Sequence, residues 1–562
     1  MNSSAEVPVV VVGAGPVGLA TALVLAQHGV ESVVCEQHGG INPHPRAHVV
    51  NTRSMELLRR WGVADAVTAD AVHPERMRNI SWRSAIAGEE FGRIDLFAGS
   101  PRQLQFRIDS SPQMIVSCAQ DRVQKHLLEA GQALRLASFR YDTRVTGFAD
   151  RGTHLDVELA TSDGPETITT RFLVLADGAS GRLSSGLGIG MEGLPPFGHQ
   201  VNVYFHADLS PWMDSAPALL VWVLNSQAPG VFIGMDEARR WTFNCAFDPA
   251  VESVGDYTVD RCVGLIRKAA GIPDLDVDVQ SVGTWMFAAR TAERYRSGRV
   301  FLAGDAAHQF PPTGGLGMNT GLADADNLGW KLAAVVNGWA DDELLDTYEW
   351  ERRGVAVANA EHSVANALKM AEAGIGPTTI EVAARLESSE PSVRVAERAR
   401  LAAAIPLQRP HFDSLAHEIG FSYGLTDSTC GPKVVTTATV GARLPHAWLY
   451  RRGVRVSSLD LVGPDFTLFT GPAGAQWLAV FASSSVGARV PWQGLVIGRD
   501  IRLNENDPFG ISATGAVLVR PDGHVAWRSD SAPESAEPDL VFCDVIAHGN
   551  PCTSGPVEGS TR

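Results

Sequence analysis

The stretch "VPVVVVGAGPVGLATALVLAQHGVESVVCE", from Val7 to Glu36, decides the fold. An apolar run breaks into glycines, resumes as a helix-length segment rich in Ala and Leu, and returns to a second apolar run. That order reads as a βαβ unit whose strands are covered on both faces. Gly13 permits the tight turn after the first strand, Gly15 lets a pyrophosphate approach the backbone, and Gly18 lets helix pack on strand. The start of the helix offers unpaired N–H groups to the anion. Glu36 ends the second strand, where an acid accepts ribose hydroxyls. A carboxylate there argues against a 2′-phosphate, which sets NADP aside and leaves FAD or NAD.

A second segment, "VFLAGDAAHQFPPTGGLGMNTGLADADNLGWKLA" from Val300 to Ala333, repeats the strand-to-helix pattern with more bare backbone. Its strand ends in Gly304-Asp305, so a carboxylate stands at the C-terminal edge of a sheet, where open α/β folds bind ligands. Asp305 is therefore a second candidate ribose ligand. The following PPTGGLGMNTG exposes backbone N–H groups at a helix start, suited to an electron-rich ring edge or to negative charge upon it.

A chain of 562 residues exceeds one ordinary core, so two to four domains are expected. With 45% apolar and 20% charged residues it reads as compact. Lys and Arg number 47 against 63 Asp and Glu, a net charge of −16 that repels nucleic-acid backbones and anionic lipid alike. Neither is an expected partner. The seven cysteines (Cys35, Cys118, Cys245, Cys262, Cys430, Cys543 and Cys552) are odd in number and contain no CxxC pair, so no disulfide framework and no metal site is expected. The N-terminus lacks a basic leader, and no apolar run approaches the roughly 20 residues that span a bilayer. The expected location is the cytoplasm.

Further along, α/β character continues to the strand FLVLADG. Short β-rich segments (VNVYFHADL, LLVWVLNS, GVFIGMD, RWTFNCAF) then alternate with turn signals, as in an antiparallel sheet inserted into the α/β domain. The expected division is residues 1–185 for the first part of the dinucleotide domain, 186–290 for the sheet domain, and 291–407 for the second part and a helical region. Residues 408–431 read as a linker, 432–562 as a separate α/β domain, and HGNPCTSGPVEGSTR as a loose tail.

Three ordered motifs, GAGPVG with Glu36, Asp177-Gly178 and Gly304-Asp305, resemble the signature of the flavin-dependent aromatic hydroxylases over about residues 7 to 400. That family includes para-hydroxybenzoate hydroxylase, phenol hydroxylase and the polyketide hydroxylases of antibiotic pathways. The resemblance implies one FAD on a Rossmann-like domain, an inserted antiparallel-sheet substrate domain, and no separate nicotinamide domain. It places Asp305 on the ribityl or ribose side of FAD and Pro312 beside the flavin, with the backbone of Gly315, Leu316, Gly317, Met318 and Asn319 around the pyrimidine end. Arg46 matches an arginine near FAD and the nicotinamide, and Gln120 a glutamine that contacts FAD.

The Asp177 motif departs from the family pattern, which continues with a serine and an arginine where this chain has Gly181 and Ser184. Arg182 is the candidate substitute. In AHVVNTRSME, His48 takes the place of an aspartate that phenol hydroxylases hold near the substrate. A histidine of near-neutral pKa there would remove a phenolic proton or hold the phenolate. Trp285 and Phe287 are candidate walls of an aromatic pocket. The final segment resembles the thioredoxin-like C-terminal domain of phenol hydroxylases. Its TGPAGAQW lacks the paired cysteines of redox chemistry, so it reads as structural, or as the surface of a homodimer.

The activity so implied is hydroxylation of a phenolic or polycyclic, polyketide-like aromatic substrate with NADPH or NADH and O₂, through a C4a-hydroperoxyflavin. The alternatives are Baeyer–Villiger oxygenation of a polyketide ketone, inactivation of an antibiotic by the same chemistry, and a flavin protein that binds an aromatic ligand without turnover.

Overall fold

The computed structural model describes residues 6–236, 239–424, 432–484, 487–504 and 506–533. The expected tail, the end of the 432–562 segment, part of the 408–431 linker and Cys430, Cys543 and Cys552 lie outside the described residues. The mixed α/β class expected of the chain is observed. The strand Val7–Val12 pairs in parallel with Ser32–Cys35 on one side and with Gly164–Leu175 on the other, and Val300–Leu302 lies beside the latter, again in parallel. Valines 9 to 11 are wholly buried, as befits strands covered on both faces. This arrangement brings Gly13, Glu36, Asp177 and Asp305, each just beyond the C-terminal end of its strand, to one edge of one sheet.

Two helices cover that edge, Pro16–Gln27 and Leu316–Val336, and they pack on each other. The second is buried on almost every side, along Asp324, Asp326, Asn327 and Lys331 as well as its apolar residues.

An 8-stranded second sheet has the order His308–Gln309, Asp278–Ala292, Met191–His206, Arg240–Ala246, Gly230–Gly234, Leu220–Val223, Asn79–Arg83, Glu90–Asp95. It is antiparallel except where Leu220–Val223 runs parallel to Asn79–Arg83. The expected boundaries at 186 and 290 are therefore too narrow. Residues 79–95, read with the first domain, close one edge of this sheet, and residues 291–292 with 308–309 extend the other. A parallel pairing between segments so far apart leaves no trace in local periodicity.

One face of this sheet, with Val201, Val203, Phe205, Val221, Phe232 and Phe243, packs on Cys262, Ile266 and Ala269 of the helix Val259–Ala270. Side chains alternate along a strand, so Gln200, Asn202, Tyr204, Asn244 and Trp222 take the opposite face. That alternation sets a dry core on one side and a polar and aromatic surface on the other.

In the C-terminal segment, strands Trp492–Val496, Phe466–Thr470, Ala516–Val519 and Val525–Ser529 form a mixed sheet in that order, with a helix at Gln476–Ser483. Its turn Arg520–His524 enters the main body. Lys331 donates to Glu351 at 2.7 Å, Arg520 pairs with both Glu351 and Asp522, and the Trp330 indole donates to Asp522 at 3.2 Å. All these charges are buried, which a fold tolerates only when they are paired. The expected linker is also partly folded. Arg409–Phe412 and Leu415–Ile419 are helices, and Glu418 accepts from the Thr52 N–H at 2.8 Å. Helices of four or five residues are held by such contacts rather than by a periodic pattern, so sequence reading passes over them. Among the described residues, no helix is long and apolar enough to cross a membrane.

Candidate active site

A cavity of about 2690 Å³ opens between the strand ends of the first sheet and the polar face of the second. Sites for one small molecule occupy roughly 300 to 1,000 Å³, so this space has room for a dinucleotide and a second ligand together. At the strand ends it is lined by Gly13, Gly15, Glu36, Asp177 and Asp305. The helix Pro16–Gln27 begins at Gly15, and Leu316–Val336 begins at Gly315, whose φ of 63° suits a glycine; neither start has a side-chain cap. Both helices thus aim unpaired N–H groups, and the positive ends of their dipoles, at one cavity. Pro312, Gly315, Leu316, Gly317 and Met318 form the adjoining wall.

Gly18 and Gly304 lie behind this surface. A Cβ on Gly18 would stand 1.9 Å from the Gly13 carbonyl oxygen, so its bareness serves helix packing. Gly304 lies under the turn, its N–H 3.3 Å from Asp324, which also accepts from Arg352 at 2.8 Å and meets His308 Nε2 at 2.7 Å. Burial opposes the Asp324 charge, but His308 and Arg352 hold its carboxyl below the ordinary range. Asp305 opens on the cavity instead. Exposed only to the enclosing cavity, its carboxyl is raised above the usual range by desolvation among the surrounding protein atoms, against the nearby positive potential of His308 and Arg46.

Glu36 accepts from the Ala14 N–H at 2.9 Å and from the His38 N–H at 3.0 Å, so it spans the glycine loop. Gln120 accepts from the Ala47 N–H at 3.3 Å and donates to Gln124 at 3.2 Å, and Gln124 donates to the Ala14 carbonyl at 3.1 Å. Gln124, which sequence reading missed, lies one turn after Gln120 on the same helix face; that spacing was its only signal. Arg46 is exposed on the wall and makes no side-chain hydrogen bond among the described residues.

The Asp177 carboxyl is raised by burial and faces the N–H groups of Leu183 and Ser184 at a short helix start. A Cβ on Gly181 would meet its oxygens at 2.2 Å. The departure from the family's serine is thus matched by the direction this carboxylate takes.

One expectation is corrected. His48 lines the cavity, but burial pulls its pKa down to about 4, so it is neutral at neutral pH rather than poised there. Its Nδ1 lies 2.9 Å from the Ser117 hydroxyl. The expectation for Asn319 concerns its backbone, and its side chain is engaged within the protein rather than on the cavity. Its amide donates to the Val49 carbonyl at 2.9 Å and accepts from the Asn51 N–H at 2.9 Å, tying the segment after His48 to the long helix. An asparagine one turn into a helix is as well placed to clamp a neighbouring strand as to face a ligand, and sequence spacing does not separate the two.

Trp285 and Phe287 stand on the cavity side of the second sheet, their rings 5.9 Å apart and edge to face. Beside them are residues that sequence reading missed: His44, Gln200, Asn202, Trp222 and Asn244. Their signal was present in VNVYF and FNCAF, where polar residues alternate with apolar ones.

Residues 6–363 match a family model described as FAD binding domain, and residues 437–541 one described as aromatic-ring hydroxylase, C-terminal. The chain is 34% identical to tetracenomycin A2 monooxygenase-dioxygenase of Streptomyces glaucescens, covering 96% of each protein. It is 32% identical to 2,4-dichlorophenol 6-monooxygenase of Cupriavidus pinatubonensis, again over 96% of each. Its fold superposes with a TM-score of 0.86 on the flavin-dependent monooxygenase PieE in complex with FAD and substrate, at 31% identity over 97% of this chain and 99% of that one.

Proposed function

Since the chain belongs to the FAD-dependent aromatic-ring hydroxylases, monooxygenation of an aromatic small molecule is its chemistry, and we propose which residues carry it out. The observation that supports the assignment best is the pair of uncapped helix starts at Gly15 and Gly315, aimed into one cavity with an aromatic wall opposite. FAD fits this donor set. The Gly13–Gly15 loop and the N–H groups after Pro16 would hold its pyrophosphate, Glu36 and Asp305 its hydroxyls, and the N–H groups of Gly317 and Met318 the pyrimidine edge of its ring. Gln120 and Arg46 would complete the site, with Arg46 offering positive charge to the incoming NADPH or NADH. When bound, FAD supplies the reductive activation of O₂ that no side chain can.

The substrate would lie between that ring and the second sheet, against Trp285, Phe287 and Trp222. These rings exclude water and strengthen polar contacts inside. His48 acts there as a neutral group. With Nδ1–H donating to the Ser117 hydroxyl, Nε2 is left to accept a phenolic O–H, which raises the electron density of the ring to be oxygenated. An acceptor for a phenol favours ring hydroxylation over ketone insertion. The thioredoxin-like segment serves as a structural support, through the buried turn Arg520–His524.

Aerobic NADPH and NADH consumption over a panel of phenols and polycyclic phenols, with mass spectra of the products, tests this reading. Ring substitution by one oxygen is expected. A lactone product would transfer the chemistry to ketones, and a yellow protein whose nicotinamide oxidation no aromatic ligand accelerates would overturn turnover of phenols altogether.

A further inference from the structure

On the cavity face of the second sheet, the strand Met191–His206 presents Gln200, Asn202 and Tyr204 in turn. The last two are spent within the protein. Asn202 is only 7% exposed and hydrogen-bonds the His44 ring, and the Tyr204 hydroxyl lies 3.0 Å from His206 Nε2 and accepts from Arg240 Nε at 2.9 Å. Gln200 differs. It lines the cavity, it is half-buried with both ends of its amide accessible, and its side chain meets no hydrogen-bond partner among the described residues.

Its surroundings are apolar. Gln200 stands opposite Trp285 on one neighbouring strand and opposite the small Ala246 on the other. Two residues back along the strand, Gly198 stands opposite Phe287, and a Cβ there would come within 2.9 Å of that ring, so the bare backbone makes room for it. A carboxamide thus projects from a wall otherwise made of aromatic rings and small residues. Folding gains nothing from an unpartnered amide at this place. Ligand cavities, in contrast, are mostly apolar with a small number of polar groups that fix the orientation of what they hold.

We propose that Gln200 is a specificity-determining residue that reads a hydroxyl and a carbonyl set side by side on one edge of the aromatic substrate. A carboxamide presents an acceptor oxygen and a donor nitrogen about 2.2 Å apart. A phenolic hydroxyl ortho or peri to a ketone is its complement, the two oxygens standing about 2.6 Å apart. The ketone oxygen uses its second lone pair for the Gln200 N–H, and the hydroxyl shares its proton between the ketone and the Gln200 carbonyl oxygen. A lone phenol engages the acceptor only, and a site built to hydrogen-bond a group discriminates against the analogue that lacks it. Held at both points against Trp285 and Phe287, the substrate turns one edge to the sheet. The proposal rests on the reading that the aromatic substrate occupies this face.

The test uses the FAD-loaded enzyme without nicotinamide, titrated with 8-hydroxy-1-tetralone and with 5,6,7,8-tetrahydro-1-naphthol, which share one skeleton and differ in the carbonyl. Binding is read from the change in flavin absorbance. The hydroxyketone is expected to bind about tenfold more tightly. Gln200→Met, which keeps the length and loses both hydrogen bonds, and Gln200→Glu, which keeps an acceptor and loses the donor, should each bring the two affinities within about twofold of one another. Should Gln200→Met fail to retain FAD, Gln200→Leu gives the same readout. Equal affinity of the wild type for the two compounds, no binding of the hydroxyketone, or a preference that survives in the Met or the Glu variant would overturn the assignment. Nicotinamide oxidation, measured separately, keeps the two readings apart. A hydroxyketone preference without oxidation defeats the proposed turnover alone, and oxidation without a preference defeats the role of Gln200 alone.

Discussion

Two polar regions of this molecule are built on opposite terms. Where Arg520–His524 meets the helices Leu316–Val336 and Asp346–Met370, each charge has a partner: Lys331 and Arg520 on Glu351, Arg520 again on Asp522, and the Trp330 indole on Asp522. On the cavity wall, Arg46 makes no side-chain hydrogen bond among the described residues, and two helix starts lack side-chain caps. Closed polar networks hold a fold rigid, whereas open polar groups at a cavity are kept for a ligand. The long helix belongs to both regions. Its first turn faces the cavity and its middle is locked to the C-terminal turn, so the groups that meet the flavin stand on a fixed mount.

The largest effect should come from opening the closed region. Arg520→Met leaves Asp522 and Glu351 with too little compensating charge in a dry site, and breaking such a pair costs about 3 to 5 kcal/mol. Urea unfolding of the holoenzyme should show a loss of that order, accompanied by weaker FAD retention, because Trp330 and Lys331 lie on the helix that starts at Leu316. An unchanged unfolding midpoint would mean that the junction does not brace the flavin helix.

The opposite kind of change alters the open region without touching the fold. A Cβ on Gly15 meets nothing within 4 Å, and its φ of −70° suits any residue. Gly15→Ala should leave the stability of the FAD-free protein within about 0.5 kcal/mol of the wild type. It should nonetheless weaken FAD binding by about tenfold or more, since the methyl group occupies the space the pyrophosphate needs. Fluorescence titration of the FAD-free protein with FAD measures this. Unaltered affinity would place the pyrophosphate elsewhere than at this loop.

The same contrast explains what sequence reading captured. The strand ends that gather Gly13, Glu36, Asp177 and Asp305 were legible because each motif joins a buried strand to a turn of fixed geometry, which is local chemistry. Trp285 and Phe287 were found as aromatic neighbours of a motif. The pairing of residues 80–83 with 220–223 was hidden, since the partners lie far apart in sequence. The ion pairs of Arg520 were hidden for the same reason, although the turn RPDGH was plain. Asn202 and Asn244 were visible only as polar interruptions in apolar strands, and their juxtaposition needs the register of two strands. The ionisation of His48 was unreadable because burial, not residue type, sets it.

His48 yields the smallest effect and the sharpest division between the two regions. Its pKa in the folded protein, about 4, lies below the 6.5 of an exposed imidazole. The unfolded chain therefore binds the extra proton first, and stability that is complete above about pH 6.5 is lost as the pH falls towards 4. His48→Gln removes this contribution, so the stability of the wild type relative to the variant should decline by about 1.4 kcal/mol between pH 7.5 and 5.5. Urea midpoints of both proteins at the two pH values measure it. The same neutrality predicts that His48→Gln lowers kcat/KM for a phenol, by about tenfold for one lost hydrogen bond to substrate, without moving the acid limb of the pH–rate profile near neutrality. If that limb shifts with the variant, His48 titrates during turnover, and this one cavity group is a base rather than an acceptor fixed in its neutral form.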